Sequence, residues 1–449
     1  MKLEQQYIDL YYEAEELLRA KSTRQFNAYR SKAIADFREQ GFPTRKQENY
    51  KYTNISQYFE TDYGLNLNRL NIPVNPYEVF KCDVPNMSTS LYFVVNDMFY
   101  NKALPTYNLP KGVIFCGLNE AYEKYPHLVE PYYCKLADTA TDGITAFNTA
   151  FAQDGVFFYV PEGVVVEKPI QLVNILRADV NFMVNRRMLI VIEDGAQAKL
   201  LVCDHAMDDK DFLATQVTEV FVGKNATLDI YELEETHTRT VRISNLYAKQ
   251  EASSNLLLNE ITLHNGVTRN TTEVSLVGEG AETYLCGMAI ADKKQHVDNN
   301  TSIKHIAPNC NSKELYKYVL DNQAVGAFAG MVLVCPGAQH TNSQMTNRNL
   351  CATREARMYT QPQLEIYADD VKCGHGSTVG QLDENALFYM RARGIPEKEA
   401  RLLLMFAFVN EVVDTIRLDA LKDRLHHLVE KRFRGDLARC QGCSICKEL

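Results

Sequence analysis

Apolar residues recur at helical spacing over the first 40 positions. Leu3, Tyr7, Ile8, Leu10, Tyr11, Ala14, Leu17 and Leu18 make one run, and Ala33, Ile34 and Phe37 follow after Ser31. A stripe repeating every three to four residues marks a helix with one buried face. Residues 43 to about 145 mix turn signals with short apolar pieces such as 91–95 and 112–116, and keep no single period.

From about residue 146 the texture changes. Strand-like pieces at 156–160, 188–192, 199–202, 228–231 and 256–258 are separated by turns of similar chemistry: Pro161-Glu-Gly-Val, Glu193-Asp-Gly-Ala, Val222-Gly-Lys-Asn-Ala and Gly278-Glu-Gly-Ala. The first three turns lie roughly 30 residues apart, a spacing that suggests stacked coils. Short strands with glycine corners and no long helices between them fit a parallel β-helix. A β-sandwich accounts for this pattern equally well.

After about residue 384 the period is helical again. Ala386, Leu387 and Met390 precede a stop at Gly394, and Pro396 opens a second helix carrying Leu402, Leu403, Phe406, Val409, Val413 and Ile416. Leu418, Leu421, Leu425 and Leu428 continue an amphipathic pattern to about Phe433. The expected organisation is therefore a helical and mixed region 1–145, a β core 146–384 and a helical region 385–449 ending in a cysteine-rich tail.

Composition narrows the function classes. A 449-residue chain exceeds a single core, and 46% hydrophobic with 23% charged residues describes a folded protein. A net charge of −9 and a pI near 5.7 argue against nucleic acid or an anionic membrane as the main partner. The longest apolar run, 402–409, is ended by Asn410 and Glu411 and is too short to span a bilayer. The N-terminus is acidic and amphipathic, without a signal-peptide core. A cytoplasmic protein is expected, with its twelve cysteines mostly reduced and metal or redox chemistry outranking disulfides.

Two cysteine motifs carry candidate chemistry. Cys373 and His375 stand two residues apart, so on an extended strand the thiol and imidazole share one face. Gly374 and Gly376 flank the histidine and permit close approach of another backbone or an inorganic species. Taken alone, such a pair is more often a packed thiol beside a hydrogen-bonded core histidine. Cys440, Cys443 and Cys446 have spacing suited to zinc or iron–sulfur ligation, with His426, His427 or Cys373 as a fourth ligand. The bland alternative is a mobile, redox-active tail. The remaining histidines (127, 205, 237, 264, 296, 305 and 340) show no paired helical spacing and are read as structural. No phosphate-binding Gly-x-x-x-x-Gly-Lys-Ser/Thr motif occurs, so ATP hydrolysis would need another subunit.

The segment from Gln361 to Ile395 resembles the SufB/SufD family of the SUF iron–sulfur assembly system, its SufD branch in particular. Further similar blocks follow in family order: Pro43-Thr-Arg-Lys-Gln-Glu-Asn-Tyr-Lys-Tyr-Thr53, Gln295-His-Val-Asp-Asn, Cys310-Asn-Ser-Lys-Glu-Leu-Tyr316 and Val334-Cys-Pro-Gly-Ala-Gln339 with Asn347-Arg-Asn-Leu350. The resemblance covers about residues 40–416 and implies a mainly β fold, a right-handed parallel β-helix between helical regions.

It further implies a non-enzymatic scaffold that pairs with SufB, or with a second copy, and docks the SufC ATPase. An iron–sulfur cluster would then be held only in passing. By the same resemblance, Cys373 and His375 lie at the subunit contact where the cluster forms. The turn with Arg391, Arg393, Gly394, Ile395 and Pro396 would dock SufC. Ala356 aligns with the strand position of the sulfur-accepting cysteine in SufB, so primary sulfur acceptance is not expected here. The rival from another class is a β-helix carbohydrate-active enzyme. That reading lacks a secretory signal and any Asp/Arg/Lys catalytic cluster.

Overall fold

The strands of the core are apolar on both faces because both faces are covered. In Asn255–His264, Leu256 and Leu258 pack into one core while Leu257, Ile261 and Leu263 pack into another. This doubly buried pattern reads in sequence as a continuous apolar run, as parallel sheets require. The computed structural model describes residues 3–67, 75–79, 88–102 and 104–435. The Cys440, Cys443 and Cys446 motif lies outside the described residues.

Among the described residues two sheets, of ten and nine strands, enclose the interior, and from Val156–Val160 on successive strands alternate between them. Each strand pairs in parallel with the one a full coil later: Phe182 stands beside Phe212, Phe212 beside Thr240, and Val241 beside Val267, roughly 30 residues on each time. Parallel pairing at this step makes the core a β-helix and removes the sandwich.

The corners repeat one hydrogen bond. Gly163, Gly195, Asn225, Ser253, Gly280 and Asn309 all adopt positive φ, between 55 and 71°. Each donates its N–H to a carbonyl of the next coil, the acceptors being Asp194, Lys224, Ala252, Glu279, Pro308 and Gln339. Glycine adopts this conformation without steric cost and asparagine tolerates it. Corners closed by Asn or Ser carry a weaker signal in the sequence than those closed by Gly.

Helices cover the outer faces. Leu3–Ala20, Arg30–Gln40 and Gly143–Phe151 place Tyr7, Ile8, Phe37 and Phe147 against Met183, Leu213 and Ile243 of the nine-stranded sheet. The N-terminal helical run is thus interrupted, with Thr23 capping a short helix Arg24–Ala28 between the two longer ones. Glu397–Val413 and Asp419–Arg434 set Val409, Val412, Leu421, Leu425 and Leu428 on Tyr231, Leu257, Ile261 and Met288 of the ten-stranded sheet. Buried Arg432 fastens the last helix, donating to the Leu263 carbonyl at 2.6 Å and to Asp292 at 3.0 Å. Pro396 stands one residue before its helix, as the N-cap, and Ile416 lies just past the helix end.

The two ends of the coil differ. Ser90–Val95 is already a coil strand, parallel to Ile170–Leu176, and Met98–Phe99 closes it antiparallel. Ile114–Gly117 closes the other sheet in the same way on Val156–Val160. At the far end Arg357–Ile366 and Lys372–Gly380 are the last strands of their sheets, each paired on one side only among the described residues. Tyr359, Ile366, Tyr367 and Val379 are exposed there.

Candidate functional site at the open end of the coil

Cys373 and His375 lie on the last strand, in register with Ser343 and Met345 of Asn342–Cys351. Met345 is a fully buried interior residue, and Cys373 packs against the same interior core. Alternation along the strand therefore puts both side chains on the interior-facing side, at the mouth of the coil. Cys373 is half-buried and burial pushes its thiol above the usual value, whereas His375 is exposed. The flanking glycines occupy the opposite face. A side chain at Gly376 would meet nothing, while one at Gly374 would approach the Gln344 amide oxygen at 3.1 Å.

Below the mouth the interior turns polar. One ladder runs Leu200, Ile230, Leu258, Leu285, Glu314, Met345, His375, so a buried carboxyl stands two coils beneath the imidazole. Beside it Ser377 and Thr360 lie 2.6 Å apart, and both donate to Asn347 Oδ1, at 3.3 and 2.9 Å. Asn347 in turn donates to the Tyr316 carbonyl, and the Tyr316 hydroxyl donates to Glu260 at 2.7 Å. Gly287 lacks the Cβ that would strike the Tyr316 ring at 2.2 Å, which lets the tyrosine reach across a coil. Burial pushes Glu260 and Glu314 up to about 7; the neighbouring Glu232 carboxylate adds to the rise at Glu260, and Glu260 itself adds to that at Glu314.

The other cluster of candidate residues lies on the C-terminal helices. Glu384–Ala392 is capped by Asp383 and exposes Phe388 and Tyr389, 73% and 59% accessible. Gly394, at φ +86°, reverses the chain, and the Ile395 N–H bonds back to Met390. Arg393 lies over the Tyr389 ring and exposed Arg391 pairs with Glu397 at 3.4 Å. Beyond the turn, Leu402, Leu403, Phe406 and Phe433 line a groove of about 210 Å³ between the last two helices. Among the described residues no three His, Cys, Asp or Glu side chains gather as a metal-binding group. No described helix is long and apolar enough to cross a membrane.

Comparison with known proteins decides the family. The model for the SufBD protein N-terminal region matches residues 1–172, and that for the SUF system FeS cluster assembly SufBD core domain matches 175–408. The chain belongs to the SufBD family. It is 28% identical over 405 residues to an iron–sulfur cluster assembly SufBD family protein of Synechocystis, covering 87% of each chain. It is 27% identical to the iron–sulfur cluster assembly protein SufD of Escherichia coli, over 88% of this chain and 90% of the relative. The Bacillus subtilis SufD is 26% identical over 78% of this chain and 81% of its own.

Membership in SufBD ties the chain to SUF iron–sulfur cluster assembly and leaves the carbohydrate reading without support. Ala356 does not sit in a strand but immediately before Arg357–Ile366, in the turn that enters it. Sequence reasoning missed Phe388 and Tyr389, since an apolar residue on a short helix carries no mark of facing outward. It also missed the Thr360, Ser377 and Asn347 cluster, since isolated polar residues in a strand carry no signal of facing inward.

Proposed function

We propose that this SufBD chain is a non-catalytic, cytoplasmic scaffold subunit of SUF assembly. It pairs through the open end of its β-helix with SufB or with a second copy. Edge strands present unpaired N–H and C=O groups, and native proteins cap such edges unless they are used. The observation that carries the reading is this asymmetry: among the described residues one end finishes in antiparallel edge strands of two and four residues, the other in full-length parallel edge strands with a thiol and an imidazole at its mouth.

In that position Cys373 and His375 offer soft ligands to a nascent cluster, the cargo, with the partner supplying the rest. Their register brings both within reach of a chain placed across the mouth. The turn Arg391, Arg393, Gly394, Ile395, Pro396, with Phe388 and Tyr389 beside it, docks the SufC ATPase. Two adjacent exposed aromatics beside a fixed turn suit a helix-mediated contact. Cys440, Cys443 and Cys446 add a metal-binding tail. Anaerobic co-purification from the native cell, with mass analysis of partners and iron, tests the reading. SufB, or a second copy, and SufC should accompany the chain; recovery of a monomer with neither would refute it.

A further inference from the structure

Residues 43–53, the Pro-Thr-Arg-Lys-Gln-Glu-Asn-Tyr-Lys-Tyr-Thr motif, cross the outer face of the nine-stranded sheet through turns and the short helix Glu48–Tyr50. Part of the segment is bolted to the middle coils. Buried Arg269 donates to the Asn49 carbonyl at 2.6 Å and lies 4.9 Å from the Tyr50 ring centroid. The Tyr50 hydroxyl donates to Asp142, the N-cap of Gly143–Phe151, at 2.6 Å. Thr53 donates its hydroxyl to Asp298 and stands 2.8 Å from His296 Nε2.

Other residues of the same segment reach the open end. Tyr52 stacks on Tyr359 with ring centroids 4.7 Å apart and planes within 15°. Its hydroxyl donates to Gln361 Oε1 at 3.2 Å, and Gln361 Nε2 donates to Glu48 at 2.7 Å. The ladder beneath runs Arg269, Asp298, Ala327, Tyr359, and the adjacent one Asn300, Ala329, Gln361. On these ladders the intervening strand presents only two alanine methyls, which leaves room for the segment to pass from the anchored coils to the last strand. A polar cleft of about 200 Å³, lined by Asn49, Asn300 and Gln361 among others, stays open under it.

We infer that the 43–53 strap is a positioning element that holds the edge strand Arg357–Ile366 in order for pairing with a second SufBD-type chain. The inference rests on the pairing reading above. An edge strand bonded on one side only frays more readily than an inner one, and ordering it on association opposes binding. A strap anchored two and three coils inward, at Asp298 and Arg269, supplies that order in advance. Tyr52 and Glu48 are its contacts with the edge.

The test is amide hydrogen exchange on the full chain, read together with association by sedimentation, for wild type, Tyr52→Ala, Tyr52→Phe and Glu48→Gln. Self-association and binding to SufB in the wild type set the reference. Tyr52→Ala should speed exchange in 357–366 about tenfold and weaken pairing by a similar factor, as the loss of an aromatic pair and a hydrogen bond implies. Tyr52→Phe keeps the stack and should lie much nearer wild type. Exchange in 156–160, far from the strap, should not change, which separates a freed edge from global unfolding. Unaltered exchange of 357–366 in both Tyr52→Ala and Glu48→Gln overturns the strap's role. Faster exchange with unaltered association overturns pairing through this edge, and absence of any wild-type pairing overturns the reading on which the inference rests.

Discussion

At the scale of single residues, the interior carboxyls set the pH response of the coil. Glu260 and Glu314 have ordinary values near 4.5 and are pushed up to about 7, chiefly by burial. The folded state therefore holds protons that the unfolded chain has already lost between these pH values. Stability should be greatest below about 4.5 as far as these two groups decide it, fall as pH rises through the window to 7, and stay level above it. Each group contributes a loss on the order of 3 kcal/mol across the window. Glu260→Gln should flatten this part of the pH profile and raise stability at pH 8, as chemical denaturation at several pH values would reveal. An unchanged slope would mean the carboxyl is ionised in the fold.

His375 belongs to the same scale. It is exposed at the mouth of the coil. His375→Ala should leave the unfolding midpoint within about 0.5 kcal/mol of wild type, as surface changes do, while cluster maturation in the reconstituted system falls. Full maturation activity in this variant would remove the imidazole from the assembly role. The pair was legible in the sequence as two groups on one face. Which face that is depended on the register with Ser343 and Met345.

At the scale of elements, the helix-turn-helix after the coil carries the ATPase prediction. Phe388 and Tyr389 are exposed and Arg391 and Arg393 line the same turn. Reversing both charges, Arg391→Glu with Arg393→Glu, should weaken SufC binding about tenfold or more in calorimetry, and Phe388→Ala should do so independently. Equal affinity in both variants would move the docking surface to the groove between the last two helices or away from the helices altogether. The helices themselves were predictable from their apolar period. The exposed aromatics were not, because period alone does not say which of two apolar stripes finds a sheet to cover.

The tail is an element for which the prediction rests on sequence alone. Three thiolates within seven residues can fold round one ion, and binding would strengthen with pH as the thiols lose protons. Full-length chain should bind one more Zn²⁺ in anaerobic titration than a chain ended after Ala438. Equal stoichiometry would leave the tail without a metal role.

At the scale of the whole molecule, the coil is a one-ended structure, and that polarity predicts where a partner acts. On addition of SufB, amide protection should rise in 357–366 and 372–380 and remain unchanged in 114–117, at the capped end. Protection gained at the capped end instead would reverse the proposed orientation.

Helix period, the roughly 30-residue turn spacing and the cysteine and histidine positions are all local properties, written in neighbouring residues, and the sequence by itself determined them; the strands run nine to eleven residues where the pattern marked only three to five. The sequence could not separate coil from sandwich by pattern, because short apolar pieces set between glycine turns occur in both. Parallel pairing between residues about 30 positions apart is a non-local fact, and only the tertiary structure decided it. The same holds for the corners closed by Asn225, Ser253 and Asn309, for the inward turn of Glu260 and Glu314, and for the strap of residues 43–53. In each case the deciding contact joins residues from different coils or from opposite ends of the chain, and no property of either partner alone records that they meet.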